Sequence, residues 1–196
     1  VAEFIIMEDL KKFIGKHPLC KIQMQVSDTQ TLLRKLDACE IDFAVVEGVF
    51  PRTEYDFLPY KKEEYVVVAT CDKSLKYAGK SLRDLLCETL ILREQGSGSR
   101  EILENILEKQ GLDVNQFFNI IELGNIGSIN NLLEAGLGIG FCYRAAIKDA
   151  ERNKKLAVID VKECRSLCYE IMFIYRKDSI FAEDYIKIYQ ELCNIR

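Results

Sequence analysis

The run Leu90-Ile91-Leu92-Arg93-Glu94-Gln95-Gly96-Ser97-Gly98-Ser99-Arg100-Glu101 restricts the folds open to this chain more than any other. An apolar, β-favouring stretch passes through a loop of small residues straight into a helix, because Ile102, Leu103, Ile106 and Leu107 repeat at helical spacing. The first turn of such a helix has N–H groups without an internal partner, and its dipole end is positive. Gly96 and Gly98 let backbone approach a ligand closely, and Ser97 and Ser99 add hydroxyl donors. The loop therefore fits a small-anion cradle at the carboxyl end of a strand. It also fits an N-cap with turn residues, and on the loop alone capping stands ahead of ligand binding.

The rest of the chain continues the alternation. A helix is predicted from Val1 to about Gly15, where Phe4, Ile5, Met7, Leu10, Phe13 and Ile14 gather on one side and Lys16-His17-Pro18 ends the pattern. Residues 21–26 read as a strand. Leu32, Leu33 and Leu36 mark a second helix that opens near Ser27-Asp28-Thr29, and 41–46 read as a buried strand before a loop at Glu47-Gly48. Extended segments are expected at 55–60 and 65–70, a short helix at 81–86, and an extended segment at 117–123. Gly124-Asn125-Ile126-Gly127-Ser128 opens a helix carrying Ile129, Leu132 and Leu133. A strand at 136–142, a helix at 144–151, extended segments at 156–161 and 167–175 and an amphipathic helix at 180–193 complete the series. Strands alternating with helices predict an α/β fold with mostly parallel sheets.

Composition narrows the function classes. With 196 residues, the chain is long enough for one large domain or two small lobes, and 48% hydrophobic residues sustain a core. A net charge of −4 leaves no basic surplus for phosphate contacts, so this chain is expected to bind DNA weakly or not at all. No apolar run approaches membrane-spanning length. No signal-peptide pattern opens the sequence, and Val1 in place of Met leads us to expect that upstream residues have been removed. Eight scattered cysteines form no C-x-x-C pair, and His17 is the one histidine. Buried, reduced thiols in a cytoplasmic protein fit that pattern better than disulfides or a metal centre.

Several chemical motifs come close and fail. Gly79-Lys80-Ser81 ends like a phosphate-binding loop, but Ser74 stands where the first glycine is required. Gly136-Leu137-Gly138-Ile139-Gly140 runs from helix into strand, the reverse of a dinucleotide fingerprint, and reads as a helix C-cap with a tight turn. Ser97 lacks the spacing of a nucleophile elbow, and a single histidine at a helix end leaves little material for a triad. No catalytic residue, metal ligand or cofactor is expected, which points to a binding protein rather than an enzyme.

Three loops lead into helices and carry small polar residues: Ser27-Asp28-Thr29, Gly96-Ser97-Gly98-Ser99 and Gly124-Asn125-Ile126. Together with the stretches Ala2-Glu3-Phe4-Ile5, Lys11-Lys12-Phe13 to Pro18, Leu36-Asp37-Ala38-Cys39-Glu40-Ile41-Asp42-Phe43-Ala44-Val45-Val46-Glu47-Gly48, Glu134-Ala135-Gly136-Leu137-Gly138-Ile139-Gly140-Phe141 and Ile174-Tyr175-Arg176-Lys177-Asp178, their order resembles the effector-binding domain of LysR-type transcriptional regulators. The run from Arg93 to Glu101 most resembles the branch linked to sulfur metabolism and small-anion sensing.

The resemblance implies a two-lobed, type II periplasmic-binding-protein-like α/β fold, with a mostly parallel sheet in each lobe. The lobes would be 1–62 plus 169–196, and 63–168. It implies a small anionic effector held between lobes by Thr29, Ser97, Gly98, Ser99 and Asn125, although Thr29 and Asn125 fit caps as well, and Arg100 fits a structural ion pair. It implies a homodimer or homotetramer, associating through the first helix, and DNA contact only through an N-terminal winged helix-turn-helix that this chain does not contain. An extracytoplasmic solute-binding protein for a small anion is the alternative with the same fold. The family also opens this domain with a strand that sits between those corresponding to 21–26 and 41–46. Its loss predicts a gap between these segments, or another segment filling it; direct pairing of the two would refute that.

Overall fold

The computed structural model describes residues 2–47 and 50–193. The expected helix start at Val1 and the loop glycine Gly48 lie outside the described residues. The elements are α1 (Ala2–Lys16), α2 (Thr29–Asp37), β1 (Ala44–Glu47), β2 (Tyr55–Ala69), α3 (Cys71–Tyr77), β3 (Thr89–Arg93), α4 (Gly98–Glu108), β4 (Asn119–Leu123), α5 (Ile126–Glu134), β5 (Ile139–Tyr143), α6 (Lys148–Arg152), β6 (Ala157–Ile159), β7 (Cys168–Arg176) and α7 (Ala182–Leu192). Two compact units result: Val1–Lys62 with Glu170–Arg196, and Glu63–Tyr169. Strands β2 and β7 each run from one unit into the other. Among the described residues no helix is long and apolar enough to cross a membrane.

In the first unit β7 lies between β1 and β2, and β1 pairs with it antiparallel, Ala44 opposite Ile174 and Glu47 opposite Ile171. Leu36 of α2 packs on Ala44, Val46, Met172 and Ile174, with Phe50 and Tyr55 closing the cluster. Helix α2 starts where it does because Asp28 caps it: Oδ1 accepts the Thr31 N–H at 2.9 Å.

The expected strand at 21–26 does not form. The segment makes no backbone–backbone hydrogen bond among the described residues, and Ile22, Met24 and Val26 are exposed. It does not pair with β1. Instead, a groove of about 820 Å³ is lined by both, together with Ile6, Leu10 and Phe13 of α1 and Ile188 and Leu192 of α7. Strand propensity without a neighbouring ladder leaves backbone groups to water, which is why an isolated β pattern stays irregular.

The second unit carries a mixed sheet in the order β2-β5-β3-β4, with β6 on β2. Pairing is parallel for β3 with β4 and with β5, and antiparallel for β2 with β5 and with β6. The two extended segments expected at 55–60 and 65–70 are one continuous strand. Its core joins Val66, Val68, Ile91, Ile129, Leu133, Cys142, Ile147 and Leu156. The glycine run after α5 resolves into a Schellman stop: Gly136, at φ +74°, donates to Leu133 O at 2.9 Å, and Leu137 donates to Leu132 O at 3.2 Å. Gly79 likewise follows a helix, α3, at φ +73°, so no strand-to-helix phosphate loop exists there.

All eight cysteines are free, but only Cys142 and Cys164 are buried; Cys20, Cys39, Cys87 and Cys168 are exposed. The expectation of buried thiols is therefore corrected for most of them. They sit on loops and element ends, where an apolar sequence neighbourhood does not translate into depth.

Candidate functional site

The site is built where β3 and β4 end. Their parallel register sets Arg93 opposite Leu123, so the loops that follow, 94–97 and 124–125, leave the same edge of the sheet side by side. A Cβ placed on Gly124 would lie 3.8 Å from Glu94 Oε2, which shows how closely they approach. Each loop opens a helix, α4 and α5, at the carboxyl end of a parallel strand, the edge at which open α/β sheets bind ligands.

The two helix starts are not equivalent. Asn125 is exposed, and its Oδ1 accepts the Ser128 N–H at 3.0 Å, so its side chain is a cap. Ser97 is the N-cap residue of α4 but makes no side-chain cap. Its hydroxyl turns instead to that of Ser99, 3.1 Å away, and the two residues are only 3% and 2% exposed. The N–H groups of Arg100 and Glu101 reach Ser97 O at 3.0 and 3.1 Å, whereas those of Gly98 and Ser99 have no backbone acceptor among the described residues. Gly96 enters the turn at φ +86°, which only glycine adopts without strain. Two N–H donors and a hydroxyl pair are thus gathered at the positive end of an eleven-residue helix.

The nearby arginines are already engaged. Arg100 donates through Nε to Glu104 at 2.8 Å and through Nη1 to Arg93 O at 3.1 Å, and it also pairs with Glu122. Burial opposes its charge, and the two carboxylates overcome that, holding its pKa above the usual guanidinium value. Arg93 forms a two-pronged contact with Glu94, both bonds at 2.7 Å. Arg100 is therefore a structural ion pair, and what the loop presents is dipolar rather than ionic.

Ser97, Gly98, Ser99 and Asn125 share this sheet edge. Thr29 belongs to the other unit: it is the first residue of α2, capped by Asp28, is 8% exposed, and donates to Glu47 O at 3.5 Å. Sequence reasoning missed Tyr65, whose hydroxyl donates to Ser99 O at 2.6 Å from the middle of β2. Nothing in the local pattern around Tyr65 signals that partner, since 34 residues separate the two.

Comparison with known proteins decides the class. Residues 1–182 match the family model of the LysR substrate binding domain. The chain belongs to this family. It is an effector-binding domain of the LysR type, with a type II periplasmic-binding-protein-like α/β fold. The uncharacterized HTH-type transcriptional regulator YeiE of Escherichia coli K12 is 28% identical over 161 residues, covering 82% of this chain and 54% of YeiE. The chain spans about half the length of the curated relatives it matches, and those relatives are named as regulators, not enzymes. Among solved structures, the regulatory domain of Synechocystis PCC6803 CcmR in complex with 2-PG superposes with a TM-score of 0.84 at 20% identity, covering 99% of this chain and 92% of that one. The sulfate-bound OxyR2 E204G regulatory domain of Vibrio vulnificus gives a TM-score of 0.79 at 16% identity, covering 100% and 92%.

Proposed function

We propose that this chain is the sensing part of a DNA-binding regulator and that its effector is a small anionic metabolite held at the start of α4 by Ser97, Gly98 and Ser99, with Asn125 beside them. One observation carries the reading. Two of the three polar loops spend a side chain on capping their own helix, whereas the α4 loop leaves the Gly98 and Ser99 N–H groups open and its hydroxyls buried. An anion satisfies these groups without any counter-cation. The complexes of CcmR with 2-PG and of OxyR2 with sulfate support a compact effector. The expected role of Thr29 is a separate proposal, because its hydroxyl already has a backbone acceptor.

In the parent protein, contact with DNA would fall to a separate domain, and the protein would act in the cytoplasm. The two units are proposed as the two lobes of the sensing domain. Association is proposed to use α1, on which Phe4, Met7 and Ile14 remain 40%, 40% and 46% exposed at helical spacing while Ile5 and Ile6 are buried.

The test is a thermal-shift titration with sulfate, phosphate and small carboxylates, repeated on Ser97→Ala and Ser99→Ala. Binding at about a hundred times Kd stabilises by about 2.7 kcal/mol, a shift of several degrees. The reading requires at least one anion to produce such a shift and both variants to diminish it. A flat response to every anion would end it.

A further inference from the structure

The geometry points to Tyr65 as a positioning residue for the anion receptor, acting on the Gly98 N–H through two intervening peptide groups; the ligand part of this inference rests on the function proposed above. The Tyr65 hydroxyl donates to Ser99 O at 2.6 Å. That carbonyl belongs to the same peptide unit as the Arg100 N–H, which donates to Ser97 O at 3.0 Å. The Ser97 carbonyl in turn shares its peptide unit with the Gly98 N–H, one of the two open donors. Each bond in such a chain polarises the next, and the effect is greatest away from water. Tyr65 is 1% exposed and Ser97 and Ser99 nearly as buried, so the relay is dry from end to end. A neutral hydroxyl thereby strengthens a backbone donor two peptides away, at a loop whose arginines are committed to carboxylates.

The Tyr65 ring is itself held. It meets Tyr143 and Tyr169 edge-on, with centroids 5.3 and 5.9 Å away, and its backbone N–H donates to Leu167 O at 2.8 Å. These contacts keep the ring in place when the hydroxyl is removed. The Ser99 carbonyl lies in the first turn of α4, where the helix supplies its own donor, so Tyr65→Phe leaves no orphaned acceptor.

The experiment compares wild type, Tyr65→Phe and Tyr169→Phe by amide NMR, first alone and then titrated with sulfate. In Tyr65→Phe the Gly98 amide proton is expected to move upfield without any anion, and the sulfate Kd to rise about threefold to tenfold, the range set by one hydrogen bond. Tyr169→Phe, which keeps the relay, is expected to leave both unchanged. Equal effects from the two variants would reduce Tyr65 to a packing residue, and an unmoved Gly98 resonance in Tyr65→Phe would overturn the inference. Should wild type show no response to sulfate, the anion reading fails at that step, and the Gly98 resonance alone still decides whether the relay exists.

Discussion

At the scale of single residues, buried polar contacts carry sharp consequences. Glu88 accepts from Lys73 at 2.6 Å, from Tyr77 at 2.7 Å and from Lys76 at 3.2 Å. Burial raises its pKa, and these three donors more than reverse that, bringing the carboxyl down to about 2 from 4.5. A folded-state pKa below the unfolded value means that acid protonates the unfolded chain first. The stability that Glu88 contributes is thus fully present above about pH 4.5 and is lost as the pH falls towards about 2. Glu88→Gln is expected to lower unfolding stability by about 1–2 kcal/mol at pH 7 and by little at pH 2, as read from urea titrations at both. Gly138 makes a steric case. A Cβ there would lie 2.4 Å from Thr89 O and 2.9 Å from Ile91 Cγ1. Gly138→Ala must push β5 off β3, at a cost of about 1–3 kcal/mol measurable in the same titration. Sequence reasoning placed this glycine at a turn into a strand and gave no sign of the close contact, because the atoms it avoids belong to a distant strand.

Among the elements, β1 and α1 are the least complete. β1 has β7 on one side and, among the described residues, no strand on the other, while 21–26 lie across the groove without a ladder. Hydrogen exchange should therefore find the amides of 21–26 essentially unprotected, in contrast to those of β3, which has strands on both sides. Protection of 21–26 comparable to that of β3 would overturn this reading. Helix α1 carries the second prediction at this scale. Met7→Lys with Ile14→Lys should convert a dimer to monomer in sedimentation while changing monomer stability by only about 0.5 kcal/mol, since both positions are exposed. A wild type that is already monomeric would remove α1 as an interface.

For the molecule as a whole, thiol chemistry reports depth. Cys20, Cys39, Cys87 and Cys168 are exposed and should react with a thiol reagent within the native protein. Cys142 and Cys164 are buried, and burial pushes both up to about 12, so they should react only when the chain unfolds. Cys71 and Cys193 are half-buried, so seven or more fast thiols would show that one of the cores opens readily. Most helix signals, the α/β alternation and the loop before α4 were legible, because periodicity and capping are local properties, whereas the short α3 went unread. Strand 21–26 was not, because a strand exists only through its neighbour.

From the residues alone came the class of fold, the position of each polar helix start and the family, all of which depend on local spacing and the order of segments. Only the tertiary structure distinguished the three helix starts. Asp28 and Asn125 turn inward to cap, whereas Ser97 turns to Ser99 and leaves the Gly98 and Ser99 N–H groups open. That choice depends on where Tyr65 and the ends of β3 and β4 lie in space, and hydrogen bonds between segments many residues apart leave no trace in a local pattern.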